Sequence, residues 1–164
     1  MPPTGALRPW LTNRGSLTAS IIANVDNFNL IRLQQRLATP FNDERRVLHL
    51  RQGELAVIRE VILRDGNTPL IFAHTAANPV DLRGAWRGLS KLGNQPLAEM
   101  LFHDPAVSRM AIEYKQLPPT HQLTRAVIAA TTLQGQTLWA RRSVFLKKNR
   151  PLLVTEVFLP TLLE

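Results

Sequence analysis

A chain of 164 residues suits one domain, because a single hydrophobic core serves roughly 100–200 residues before it divides. A hydrophobic content of 45% excludes intrinsic disorder, and no apolar run approaches the ~18 residues that span a bilayer. The absence of cysteine excludes disulfides, thiolate metal ligands and a cysteine nucleophile.

Twenty Lys and Arg against twelve Asp and Glu give a formal charge of +8, which favours an anionic partner. The arginines are scattered, no basic run reaches five residues, and the sole tyrosine, Tyr114, is not interleaved with basic residues. A nucleic-acid surface and stable membrane insertion are therefore not expected. Met1 to Trp10 lacks the basic region and apolar run of a secretory signal, which makes the cytoplasm the expected location.

Ser16 is placed to cap a helix carrying Leu17, Ile21, Ile22 and Val25. Phe28 to Leu37 reads as a strand, and Thr39 to Arg46 as a polar loop broken by Pro40. Leu55–Arg64 and Leu70–Ala77 are strand-like runs flanking the turn residues Asp65-Gly66-Asn67-Thr68. After the breaker Asn78-Pro79, Leu82 to Leu92 has helical periodicity and Gly93 is a natural stop. Pro96 opens a short helix carrying Leu97, Met100 and Leu101. Ser108–Leu117 reads as a strand ended by Pro118-Pro119, while Leu123–Thr132 fits either a strand or a short helix. Trp139–Lys147 and Pro151–Leu159 form a closing hairpin turning at Lys148-Asn149. Hairpin-linked strands with helices between them predict an α+β domain over residues 1–164, built on an antiparallel sheet.

Strand parity marks several polar residues on apolar faces. Arg59 shares its face with Val57, Val61 and Leu63, and His74 shares one with Leu70 and Phe72. A two-residue Gly66-Asn67 turn sets Arg59 directly opposite His74, whereas a three-residue turn separates them. In the closing hairpin, Glu156 lies between Val154 and Phe158 and falls opposite Arg141. Such charges are costly to bury unpartnered, so they either face solvent or line a polar pocket. The histidines at 49, 74, 103 and 121 show no metal-ligand spacing, so no metal is expected. Trp86 and Met100 read as core residues.

Four segments carry a family resemblance: ALRPWLTNRGSLT (Ala6–Thr18), IREVILRDGNTPLIFAHTAANP (Ile58–Pro79), KLGNQPLAEMLF (Lys91–Phe102) and LWARRSVFLKKNRPLLVTEVFLP (Leu138–Pro160). In this order and at this length they resemble the chorismate lyases. The resemblance implies an antiparallel sheet with helices and helical flaps over a buried ligand. It also implies conversion of chorismate to 4-hydroxybenzoate and pyruvate, without a cofactor, at the start of ubiquinone biosynthesis. By position, Arg59 matches the arginine holding the ring carboxylate, and Glu156 the carboxylate facing the ring hydroxyl. Leu17 and Leu97 match flap positions whose backbone amides meet the ligand. At His74 the commoner family residue is a second arginine, and histidine offers single N–H donors rather than a fork. The segment Gln116–Gln136 matches poorly.

The resemblance thus makes Arg59 and Glu156 the catalytic pair, with His74, Leu17 and Leu97 as further substrate contacts. A monomer binding chorismate and releasing 4-hydroxybenzoate is expected. The rival is a non-catalytic effector-binding domain, since domains of one bacterial regulator family share the closing-hairpin pattern. Such a regulator carries an N-terminal DNA-binding domain, and here only ~15 residues precede the first helix signal.

Overall fold

The computed structural model describes residues 5–163, so the expected 1–164 boundaries extend past the described residues at both ends. Two short helices come first, α1 (Arg8–Leu11) and α2 (Leu17–Asn24). As predicted, Ser16 caps α2, its side chain accepting from the Ala19 amide at 3.1 Å. Strand β1 (Phe28–Ala38) runs one residue past its predicted end.

The expected polar loop contains a helix instead, α3 (Asn42–Val47). Its charges follow the helix dipole, with Asp43 and Glu44 in the first turn and Arg45 and Arg46 in the last. Glu44 also turns back to accept from the Phe41 amide at 3.0 Å. Polar composition alone concealed this order.

Strands β2 (Ala56–Asp65) and β3 (Thr68–Ala77) then form the central hairpin. The expected helix over Leu82–Leu92 is replaced by two 3-10 turns, Pro79–Arg83 and Arg87–Lys91. Gly84 follows the first of them at φ −135° and ψ −119°, a conformation outside the helical region that ends the helical run. Gly93 ends the segment at φ 57°, as its predicted stop requires.

Helix α4 (Ala98–Phe102) starts two residues beyond Pro96. The predicted strand Ser108–Leu117 is split into β4 (Ser108–Arg109) and β5 (Glu113–Leu117). Between β5 and the last hairpin lies α5 (Gln122–Ala130), which settles the ambiguous segment as helix, with His121 Nδ1 accepting from the Leu123 amide. Strands β6 (Leu138–Lys147) and β7 (Arg150–Phe158) turn at Lys148-Asn149, both at positive φ as a tight two-residue hairpin demands.

The seven strands make one antiparallel sheet in the order β1-β2-β3-β7-β6-β4, with β5 also on β6. Both faces are covered. On one, Leu11, Leu17, Ile21, Trp86, Leu89 and Leu101 pack onto Val61, Leu63, Ala77, Leu152, Val154 and Phe158. On the other, Leu48, Leu123 and Val127 cover Ile58, Ile62, Phe72, Ala76, Leu153 and Val157.

Register corrects one expectation. The turn is the two-residue Gly66-Asn67, yet Arg64 pairs with Pro69 while Leu63 pairs with Ile71, leaving Leu70 as an extra residue. Pro69 has no N–H to give the ladder, and a bulge beside it is a common outcome. The slip sets Arg59 opposite Thr75 and Glu60 opposite His74. Arg59 and His74 consequently point to opposite faces of the sheet.

Trp86 anchors the 3-10 segment. It is fully buried, and its indole N–H donates to the Arg150 carbonyl on β7 at 3.0 Å. Trp86→Ala is expected to lower stability by about 3–5 kcal/mol in chemical denaturation, while Trp86→Phe, which retains most of the packing, costs about 1 kcal/mol.

Candidate active site

Register brings together residues far apart in sequence. Arg59, Thr75, Val154 and Ser143 occupy one continuous row across β2, β3, β7 and β6. The neighbouring row runs through Val61, Ala73, Glu156 and Arg141. Above these rows lies a partly open cavity. Its walls take Leu17 and Thr18 from α2, Pro96 to Ala98 and Leu101 from the α4 segment, and Phe145 from β6. Of the predicted site residues it therefore unites Arg59, Glu156, Leu17 and Leu97.

Arg59 is 2% exposed, and its hydrogen-bond partners are neutral. Nη1 donates to Gln35 Oε1 and to the Gly93 carbonyl, each at 3.0 Å, and Nη2 donates to the Gln95 carbonyl at 2.9 Å. Gln35 in turn donates to the Leu89 carbonyl at 3.1 Å. The side chain thus ties the segment preceding α4 onto β1 and β2. Among the described residues no carboxylate pairs with it. Burial, with repulsion from Arg32, holds its pKa below the usual value. A buried cation without an anion is an unfavourable arrangement that a bound carboxylate would relieve.

Glu156 and Arg141 form the pair expected from the hairpin, Arg141 Nε donating to Glu156 Oε1 at 2.7 Å. The Arg141 Nη1 group donates to the carbonyls of Leu11 (3.2 Å), Trp10 and Asn13, fixing the end of α1 and the turn that follows it. Glu156 Oε2 has no such partner among the described residues and is available to a ligand hydroxyl.

Arg109, which sequence reasoning did not single out, completes the charged set. It pairs with Phe145 at the sheet edge. Its Nε and Nη2 donate to Ser143 Oγ at 3.1 and 2.8 Å, and Nη1 donates to the Arg14 carbonyl at 2.8 Å. The guanidinium carbon lies 5.1 Å from the Phe145 ring centroid. Burial and the nearby Arg141 lower its pKa to about 10. Parity within the predicted strand Ser108–Leu117 could not place it, because that strand breaks after Arg109.

His74, expected as a substrate contact, does not line this cavity. On the opposite face its Nδ1 meets Glu60 Oε2 at 2.8 Å and its Nε2 meets Glu44 Oε2 at 2.9 Å. The Phe41 ring stacks on it at 5.2 Å. Both ring nitrogens are engaged by carboxylates, so an anionic ligand would meet repulsion there. The bulge at Leu70 is the physical reason for the correction. An open groove on this face, between α3, β5 and α5, is lined by Phe41, Lys115, His121 and Arg142. The charge of Arg142 is already matched there by Asp43 and Glu113. Among the described residues no cluster of three His, Asp or Glu is arranged to hold a metal ion.

The chain resembles known proteins in sequence and in fold. Residues 1–164 match the family model described as chorismate lyase. A protein of Nitrosomonas europaea named "Probable chorismate pyruvate-lyase" is 46% identical over 153 residues, 93% of this chain and 86% of that protein. One of the same name from Aromatoleum aromaticum is 45% identical over 162 residues, 96% and 86% of the two chains. Among solved structures, the ligand-binding domain of a GntR-family transcriptional regulator from Bordetella bronchiseptica superposes with a TM-score of 0.58 at 17% identity, covering 82% of this chain and 86% of that one. PhnF from Mycobacterium smegmatis gives 0.66 at 12% identity, covering 92% and 66%. These likenesses show a shared fold.

The Glu44–His74–Glu60 cluster has a consequence for stability. Burial opposes a charge on His74, but the hydrogen bonds it donates to the Glu44 and Glu60 carboxylates prevail and raise its pKa from 6.5 to about 9. The folded state therefore binds this proton more tightly than the unfolded one. The contribution is complete below the unfolded value of 6.5 and is lost as pH rises through 9. Thermal melts are expected to show Tm falling between pH 6.5 and 9.5 by the equivalent of roughly 3 kcal/mol. In His74→Gln that pH dependence is expected to flatten, from a lower starting Tm.

Proposed function

The chain belongs to the chorismate lyase family, and on that footing we propose that it converts chorismate to 4-hydroxybenzoate and pyruvate. Charge balance in the cavity carries the reading. Arg59, Arg109 and Arg141 face one carboxylate, Glu156, leaving two positive charges in a wall that is otherwise uncharged. Chorismate brings two carboxylates.

The reaction breaks the ether bond between the ring and the enolpyruvyl group and removes the hydrogen from the hydroxyl-bearing ring carbon. That proton ends on the enolpyruvyl methylene, which becomes the methyl group of pyruvate. Aromatisation of the ring drives the change, so the chemistry calls for no redox partner or covalent nucleophile.

In this reading Arg59 holds the ring carboxylate, with the backbone amides of Leu17 and Leu97 above it. Glu156 Oε2 accepts the ring hydroxyl, fixes the ring in the cavity and is placed to help move the proton. Guanidiniums set in advance around the cavity stabilise charge developing on the departing enolpyruvyl oxygen. The product would supply the ring of ubiquinone, and a cytoplasmic, monomeric, cofactor-free enzyme is consistent with the reading. No helix among the described residues is long and apolar enough to cross a membrane.

Shared fold with regulator domains raises the alternative of an effector-binding domain, since fold alone does not fix function. Incubation with chorismate decides between them: appearance of 4-hydroxybenzoate and pyruvate in equal amounts is expected, and binding without turnover would favour the alternative. Arg59→Ala is expected to lower kcat/KM by about two to four orders of magnitude, as removal of a buried charge partner does. Glu156→Gln is expected to retain 4-hydroxybenzoate binding and lose at least ~100-fold in kcat. Turnover within threefold of the unsubstituted enzyme in either variant would remove that residue from the assignment.

A further inference from the structure

We propose that Arg109 binds the enolpyruvyl carboxylate of chorismate, making it the residue that distinguishes substrate from product. The inference rests on the proposed reaction and adds a contact to it.

Three observations converge on Arg109. The first is position. Arg59 stands at one end of the row Arg59, Thr75, Val154 and Ser143, and the Arg109 guanidinium docks on the Ser143 hydroxyl at the other. Three strand spacings, ~14 Å between backbones, separate the ends, and the two long side chains both line the cavity between them.

The second is the order of groups on the ligand. The enolpyruvyl ether and the hydroxyl occupy neighbouring ring carbons, and the ring carboxylate lies across the ring from the hydroxyl. With the carboxylate on Arg59 and the hydroxyl on Glu156, the enolpyruvyl group falls beside Glu156, towards β6 and β4. Arg141 and Arg109 are the cations on that side.

The third is availability. Arg141 is 1% exposed, is neutralised by Glu156, and spends Nη1 on three backbone carbonyls. Arg109 has neutral hydrogen-bond partners and no carboxylate partner among the described residues. Its two bonds to one serine hydroxyl and one to a carbonyl leave N–H groups on both terminal nitrogens. Phe102 and Phe145 flank the guanidinium and limit its contact with water. A carboxylate beside it would form charge-assisted bonds in the fork geometry that arginine favours.

The product carries only the ring carboxylate, which separates this role from that of Arg59. Arg109→Gln and Arg109→Lys are to be compared with the unsubstituted enzyme for chorismate turnover and, by calorimetry, for 4-hydroxybenzoate binding. Arg109→Gln is expected to lower kcat/KM for chorismate about 100-fold or more while 4-hydroxybenzoate affinity stays within threefold. Arg109→Lys, which keeps the charge, is expected to recover part of the turnover. Arg59→Ala, in contrast, is expected to weaken both.

Equal loss of product binding and turnover in Arg109→Gln would assign the residue to the framework around Ser143 and Arg14, overturning the proposal. Turnover within threefold of the unsubstituted enzyme would also overturn it. Should the unsubstituted protein bind 4-hydroxybenzoate but leave chorismate intact, the proposed reaction itself falls, and that outcome is read before any variant is compared.

Discussion

A sheet buried on both sides leaves a charged strand residue with few places to go. It must pair with another charge, attach to backbone carbonyls, or await a ligand. The structure divides these solutions between the two faces. Under α3, the carboxylates of Glu44 and Glu60 hold His74 between them, and Phe41 closes the cluster. Under α2 and α4, three arginines outnumber a single glutamate. On one face the cation already has its carboxylates, and the other is prepared for an anion. The extra residue at Leu70 controls the division, because removing it would carry His74 into the arginine-rich cavity and Arg59's partner out of register.

This division also bears on how one architecture serves both enzymes and regulators. The GntR-family domain from Bordetella bronchiseptica shares the fold at 17% identity and PhnF at 12%, so the fold constrains the sheet and its two covers far more than the chemistry between them. In this chain the charged groups are gathered in the wall of the cavity. Arg59, Glu156 and Arg141 sit on strands whose backbones are held by ladders on both sides, Arg109 sits on the edge strand β4, and short helices and turns supply the cover. Rigid strands suit a reaction in which the hydroxyl and the ether must be held in fixed relation. Arg59 serves both layers at once, since it faces the cavity and grips the carbonyls of Gly93 and Gln95.

Much of the fold was legible where local chemistry and tertiary structure agree. Ser16 capped its helix, Gly66-Asn67 and Lys148-Asn149 made their turns, and the closing hairpin placed Glu156 opposite Arg141. Arg59 and Glu156 stood out as charges among apolar strand neighbours, and both face the cavity. Legibility ended where a single residue changes the outcome. No periodicity reveals that Leu70 is skipped, so parity assigned His74 to the wrong face. Asn42–Val47 looked like a loop because its buried member is Glu44, whose burial makes sense only once His74 is known to lie beneath it. Arg109 escaped notice because its strand holds two residues, too few to show a pattern.

Strand order has a further consequence for the motion of the protein. The meander β1-β2-β3 and the hairpin β6-β7 each form from neighbouring sequence, but they meet along β3 and β7, and β3 ends at Ala77 while β7 begins at Arg150. That junction closes the longest loop between paired strands, so it carries the largest loop-closure entropy in the sheet. The cavity straddles it, with Arg59 contributed from one side and Glu156, Arg141 and Arg109 from the other. A molecule gripped at both ends therefore acts as a rivet across the junction. Its binding free energy adds to that of keeping the two halves joined, and amide exchange along Ala73–Ala77 becomes a gauge of occupancy.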